Sequence, residues 1–314
     1  MILDDVESRP GSTVSLLRTV VGLTLRDLGG QVAVADLVAL LDAVGVPPAG
    51  TRSAVSRVKA KGLLAAASVD GRPGYRLAPG ADAMLARGDR RIFSYRRQSD
   101  DDAWLLVSFS VPEGRRADRH QLRRHLAGIG CGTVADALWI CPAHLADEVE
   151  GILDHLDLRD AATLFVTRTP RTPGSFADAA ARWWDLDRLA DLHRTFLARH
   201  GGAEPDGAAS DDRLPDGAAS DDRLAHGAAS DDRLSGGAPG SASARRSAFA
   251  RWVRVVDDWR TIPYVDPGLP PSALPADWPG TASVALFEQL RHALAAPAAE
   301  HVRATTRQTA ALAP

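Results

Sequence analysis

Pro47-Pro48-Ala49-Gly50-Thr51-Arg52-Ser53-Ala54-Val55-Ser56-Arg57-Val58-Lys59-Ala60-Lys61-Gly62-Leu63-Leu64, followed at once by a run ending Val69-Asp70-Gly71-Arg72-Pro73-Gly74-Tyr75, is the stretch on which the fold turns. At helical spacing Ala54, Val55 and Val58 share one narrow face, and Arg52, Ser53, Ser56, Arg57 and Lys59 take up the rest. A helix that only covers a core has no need of basic groups and of the hydroxyls of Thr51, Ser53 and Ser56 on its outer face. Arg, Lys and Ser are the side chains that meet phosphates and base edges in a major groove. Pro48 suits the first turn of a helix, and Gly62 the left-handed position just past its end. Asp70-Gly71 is a tight-turn pair between two short extended runs, so a hairpin is expected after the helix.

The segments before this stretch complete a module. Residues 12–28 carry Leu16, Leu17, Val20, Val21 and Leu25, dense enough for a buried first helix, and Val34 to Val44 gives a second one closed by Gly45. Three helices and a hairpin make the winged variant of the helix-turn-helix arrangement, expected over residues 12–80. A connector over 81–103 follows, helical at Ala81 to Leu85 and extended at Arg90-Arg91-Ile92-Phe93. The formal charge of −3 conceals an asymmetry: between Pro48 and Arg97 eleven Arg and Lys stand against three acids, so the remainder is strongly acidic. A basic module on an acidic body is the electrostatic footprint of nucleic-acid binding.

The texture changes at Trp104. Trp104 to Phe109, Cys131 to Val134, Leu138 to Ile140 and Thr163 to Thr167 read as strands, and Arg115 to Leu126 and Leu145 to Leu156 as helices. The order strand, helix, strand, strand, helix, strand is the ferredoxin-like split unit, expected over 104–170, whose sheet can self-associate through its face or edge. A C-terminal helical domain is expected over 176–300, with helices from Trp183 to His200, Phe249 to Trp259 and Ala282 to Leu294. Its interruption at 201–244 contains Gly-Ala-Ala-Ser-Asp-Asp-Arg-Leu at 207–214, 217–224 and 227–234. A unit with one Leu cannot bury enough surface to offset its ordering entropy, so this insertion is read as a flexible acidic segment. The fold class is therefore α+β.

Composition narrows the function. At 45% apolar and 25% charged the chain can form two or three cores. No run of ~18 apolar residues, the length of a membrane span, occurs, and Met1-Ile2-Leu3-Asp4-Asp5 lacks a basic segment followed by an apolar one, so a cytoplasmic protein without membrane partners is expected. Cys131 and Cys141 lack the further ligands of a zinc site. His120 and His125 are off the same-face spacing. No nucleophile elbow, phosphate-cradling loop or paired metal motif occurs, so no cofactor, metal or catalytic residue is assigned and an enzyme is not expected.

Several of these segments together resemble the PaaX-like transcriptional regulators. The residues that carry the resemblance are Thr51 to Arg57 with Gly62 and Tyr75, then Arg90-Arg91-Ile92, then Arg260 with Asp266-Pro267-Gly268-Leu269-Pro270 and Leu274-Pro275-Ala276-Asp277-Trp278-Pro279-Gly280. The resemblance implies a winged helix, a central ferredoxin-like domain akin to a CRISPR-associated endoribonuclease fold, and a helical C-terminal domain. It further implies a homodimeric repressor of phenylacetate catabolism type, bound to a palindromic operator in double-stranded DNA and released by an acyl-coenzyme A such as phenylacetyl-coenzyme A.

On this reading Thr51, Arg52, Ser53, Ser56 and Arg57 are expected at bases and nearby phosphates, Lys59 and Lys61 at phosphates, and Arg72 in the wing. An acyl-coenzyme A pocket needs cations beside apolar walls, and Arg119, Arg123, Trp183, Trp184, Arg260, Tyr264 and Trp278 supply such groups. The competing reading is a metal-dependent nuclease of the central fold. It is disfavoured because Ser108, Phe109 and Ser110 stand where a first-strand carboxylate would hold the metal, and Glu113 comes only beyond Pro112. A third reading, a scaffold using the acidic repeat, predicts unchanged DNA affinity when 203–243 is removed.

Overall fold

The computed structural model describes residues 8–202 and 240–311; the repeats at 207–234 lie outside them. Helix α1 (Thr13–Thr24) opens on Ser12, whose Oγ accepts from the Ser15 N–H. Strand β1 (Gln31–Ala33), α2 (Val34–Ala43), α3 (Pro48–Ala60), β2 (Leu64–Val69) and β3 (Arg72–Leu77) follow, and the strands form an antiparallel sheet in the order β1-β3-β2. The short β1 carries no period that sequence reading could detect. Between α2 and α3 the axis turns by 114°. Asp70 and Gly71 both take positive φ, +49° and +75°, so β2 and β3 are joined by the primed turn that matches their twist.

Helix α4 (Ala81–Phe93) corrects the expected connector, because the helix does not give way to an extended run at Arg90. Met84, Leu85, Ile92 and Phe93 recur at helical spacing and pack on the core, and the Trp259 indole donates to the Ile92 carbonyl at 3.0 Å. The paired arginines hide that period in the sequence.

The middle of the chain comprises β4 (Trp104–Phe109), α5 (Arg116–Gly128), β5 (Gly132–Ala135), β6 (Leu138–Pro142), α6 (Ala146–His155) and β7 (Ala162–Thr167). The sheet is antiparallel throughout, in the order β5-β6-β4-β7. Leu105, Val107 and Phe109 alternate onto one face, against Leu122 and Leu126 of α5 and Val149 and Ile152 of α6. Trp104 and Ile140 point the other way, against Ala180 and Trp184 at α7 (Phe176–Trp183) and against Leu269. With both faces of β4 covered, its run is apolar but for Ser108. Cys131 and Cys141 are buried beside one another, and burial pushes the Cys131 thiol well up.

The remaining helices are α8 (Leu186–His200), α9 (Ala242–Trp259), α10 (Ile262–Val265) and α11 (Gly280–Ala311). Helix α11 runs far beyond the expected Leu294 and passes through Pro297. An interior proline costs about 3 kcal/mol. The stripe Phe287, Leu290, Leu294, Ala298 and Val302 continues across it into the core, and fully burying one large apolar side chain returns about 1.5–3 kcal/mol. Helices α9 and α11 do not form a separate core: Phe249, Trp252, Val253, Val256, Trp259 and Phe287 lie in the same buried cluster as Leu17, Leu37, Leu41 and Val58. The α+β architecture thus holds one core of N- and C-terminal elements and another around the central sheet.

Candidate nucleic-acid interface and junction cleft

Helix α3 is held by its apolar side. Ala54, Val55 and Val58 are 2%, 3% and 1% exposed, whereas Arg52, Ser53, Ser56, Arg57, Lys59 and Lys61 all stand in solvent. Pro48 lies in its first turn and Gly62 follows its end with φ +74°. A surface of cations and hydroxyls on one rigid helix, across a sharp turn from its neighbour, can reach a groove without moving the backbone.

Thr51 is a correction. It does not lie on the outer face: it is 2% exposed and its hydroxyl donates to the Pro47 carbonyl at 3.3 Å, because it follows the buried side of the first turn. Arg72 is half-buried and turns back, with a guanidinium nitrogen 3.9 Å from the Asp36 carboxylate on α2. Lys59 reaches over the Tyr75 ring, 5.9 Å from its centroid, and so ties α3 to the hairpin. Arg76, which sequence reading did not single out, stands exposed on β3.

A second feature opens where the two cores meet. Arg91 donates to Glu148 on α6, to the Pro263 carbonyl at 3.1 Å and to the Ile129 carbonyl at 2.9 Å. Beside it lies a cleft of about 290 Å³, lined by Arg90, Arg96, Tyr95, His144 and Asp266 among others. Asp266 is 2% exposed and fully engaged: it accepts from Tyr95 Oη at 2.9 Å and from Gly268 N–H at 2.8 Å, and His193 Nε2 lies 2.8 Å away. Glu148 is likewise paired, with Arg91, so the positive charge that the cleft has in excess is that of Arg90 and of Arg96, the latter 3.4 Å from Asp102. His144 is one of the lining residues, and desolvation followed by Arg96 and Arg91 brings its pKa down to about 4. Tyr95 moves well up, through burial first and then Asp266. Gly268 is held at φ +73° against the chain leaving α4, where an added Cβ would lie 2.1 Å from the Arg96 carbonyl oxygen.

His193 also meets Ser283 Oγ through Nδ1, at 2.5 Å, so serine, histidine and aspartate stand in a row. Ser283 and His193 are both 0% exposed and neither lines the cleft, so the row ties α8 and α11 to the 266–268 loop and offers no reacting atom to a substrate. The burial of His193 on α8 is explained by these two partners.

The other effector candidates are dispersed. Arg119 and Arg123 pair with Glu113 and Asp136 at the surface of α5. Trp184 is buried and donates to the Gly130 carbonyl at 2.8 Å, with Trp183 packed edge-on against it. Arg260 is buried against Asp257 and Ser15. Trp278 packs on His193. Only Tyr264 adjoins the cleft, its ring centroid 5.9 Å from the Arg91 guanidinium. Arg90, Arg96 and His144 were not nominated, because they come from separate segments that only the fold brings together.

What fold and surface define is an α+β protein that presents a cationic helix beside a hairpin and a cationic cleft between its two cores. Three family models match it in succession: "PaaX-like protein" over residues 12–81, "PaaX protein central Cas2-like domain" over 97–179, and "PaaX-like protein C-terminal domain" over 234–304. The chain belongs to the family of PaaX-like proteins. It is similar to the transcriptional repressor PaaX of Escherichia coli, 23% identical over 278 residues that span 88% of this chain and 78% of the relative. Among solved structures it is similar in fold to uncharacterized protein Rv0674 from Mycobacterium tuberculosis, with TM-score 0.53, 20% identity, and coverage of 93% of this chain and 99% of the other.

Proposed function

We propose that this protein is a sequence-specific DNA-binding transcriptional repressor of the cytoplasm, in which α3 is the recognition helix and the β2–β3 hairpin the wing. The observation that carries the reading is the division of α3 into a buried apolar face and an outer face of Arg52, Ser53, Ser56, Arg57 and Lys59. The repressor relative supports it. The helix order α1-β1-α2-α3-β2-β3 suits a winged helix, and the β5-β6-β4-β7 order suits a ferredoxin-like unit.

The working form in this proposal is a homodimer. Strand β7 is a sheet edge that shows Phe165 and Val166 at 54% and 68% exposure with no charge between Ala162 and Thr167, an edge open to pairing with its own copy. A two-fold dimer reads an inverted repeat. The effector is an acyl-coenzyme A, and its phosphates are received at Arg90, Arg91, Arg96 and His144. Selection from random duplexes with the full chain tests the core of the proposal: an inverted repeat with half-sites about one helical turn apart, or a multiple of it, is expected. Failure to enrich any sequence overturns it. Titrating the selected complex with acyl-coenzyme A esters and free coenzyme A tests the effector.

A further inference from the structure

A cavity of about 60 Å³ lies on the opposite side of α4 from the cleft, between α1, α4, α9 and α10. Its walls are largely apolar, with Leu23, Leu85, Ile92, Phe93, Val256 and the Tyr264 ring, and Arg18, Asp89 and Arg260 also line it. Two of its lining positions are glycines inside helices, Gly22 of α1 and Gly88 of α4. A glycine inside a helix destabilises it by roughly 0.5–1 kcal/mol relative to alanine, and close approach of backbones is the usual reason to keep one. That reason is missing here. A Cβ on Gly22 would meet only the end of the Leu85 side chain at 3.7 Å, and one on Gly88 only the Tyr264 hydroxyl at 3.5 Å, both ordinary van der Waals contacts. Each position has room for a methyl group that the glycine leaves unfilled.

The cavity and the cleft share a wall. Gly88, Ile92 and Phe93 line the cavity while Arg90, Arg91 and Tyr95 line the cleft, and the Tyr264 ring that lines the cavity is the one the Arg91 guanidinium lies over, 5.9 Å from its centroid. A ligand with an anionic body and an apolar end finds cations on one side of this wall and aliphatic groups on the other.

We propose that this cavity is the acyl subsite of the effector, that Tyr264 is the gate between it and the phosphate cleft, and that Gly22 and Gly88 set the size of acyl group accepted. The inference rests on the acyl-coenzyme A reading above and adds the class of acyl group. The cavity is well below the ~150 Å³ at which an apolar cavity takes up benzene, so it suits a short aliphatic chain and not an aromatic ring. Acetyl, propionyl and butyryl thioesters are preferred, and phenylacetyl is disfavoured.

The test uses the full chain bound to its selected operator, titrated with acetyl-, butyryl- and phenylacetyl-coenzyme A and with free coenzyme A, in the wild type and in Gly22→Ala, Gly88→Ala and the double variant. Alanine fits at both positions and favours the helix, so the variants hold or raise the melting temperature, and free coenzyme A binds them as it binds the wild type. Butyryl-coenzyme A is expected to lose about tenfold or more in the double variant, the equivalent of ~1.4 kcal/mol. If butyryl- and free coenzyme A respond alike to the substitutions, or phenylacetyl-coenzyme A is the best ligand and is untouched by them, the cavity is not the acyl subsite, although the effector reading stands. If no ester binds the wild type, the effector reading itself falls. Should either alanine lower the melting temperature, Leu85→Phe fills the same space from another wall and must give the same selective loss.

Discussion

At the scale of single residues, Arg52 and Lys59 on the outer face of α3 are proposed to do different work, the first reading a base and the second holding phosphate. Arg52 stands on the exposed face of the helix, so Arg52→Ala is expected to cost about 1–3 kcal/mol on the selected operator and to relax one base position. Lys59→Ala is expected to weaken all duplexes alike and to lower the salt slope by about one. Fluorescence anisotropy on operator and scrambled duplexes at several salt concentrations decides both, and an equal loss on the two duplexes for Arg52→Ala removes its base-reading role. His144 gives a pH signature. Its folded pKa of about 4 lies below the ordinary value of about 6.5, so between these the unfolded chain holds the extra proton. Stability is therefore complete above about pH 6.5 and falls as the pH drops toward 4. His125 and His301 shift the same way, both through burial first. Melting temperatures from pH 7 to 4.5 should fall less steeply for His144→Gln; equal slopes would refute the assignment.

At the scale of elements, what was legible in the sequence had a local cause. The hairpin could be read from Asp70-Gly71 because both residues tolerate the positive φ that the turn demands, and α3 could be read because one of its faces carries no charge. Gly71→Val puts a β-branched side chain at φ +75° and is expected to destabilise the hairpin by roughly 1–2 kcal/mol, seen as earlier hydrogen exchange in β2 and β3. Elements whose cause is distant were misread. The last turn of α4 is held by Trp259 and by the partners of Arg91, and α11 crosses Pro297 because α9 offers a surface on the far side. Thr51 was placed outward by its chemistry when its phase on the helix turns it in. The cleft escaped notice because Arg90, Arg96 and His144 share no pattern along the chain. At the β7 edge, Val166→Lys places a charge in the proposed pairing line, and sedimentation should then show a monomer that still melts at the wild-type temperature. An unchanged dimer moves the interface elsewhere.

At the scale of the whole molecule, the decisive feature is the core shared by the first and last parts of the chain. Trp259 and Phe287 stack at 4.6 Å and 14° between planes, and Phe93, Phe196 and Trp252 crowd round them within the cluster that holds α1, α2 and α3. Phe287→Ala is expected to cost about 3–5 kcal/mol, and, although it lies on α11, to take DNA binding away with it in one transition. A melt in which operator affinity survives after the α11 signal is lost would show two independent bodies. The shared core and the central sheet meet at Arg91, which donates to Glu148, to the Pro263 carbonyl and to the Ile129 carbonyl. The same feature limits how such a regulator can be rewired. Grafting residues 12–81 alone onto another body would strip the graft of the part of its core that α9 and α11 supply, so a working hybrid must carry α9 and α11 with the head, and its natural point of exchange is the central sheet.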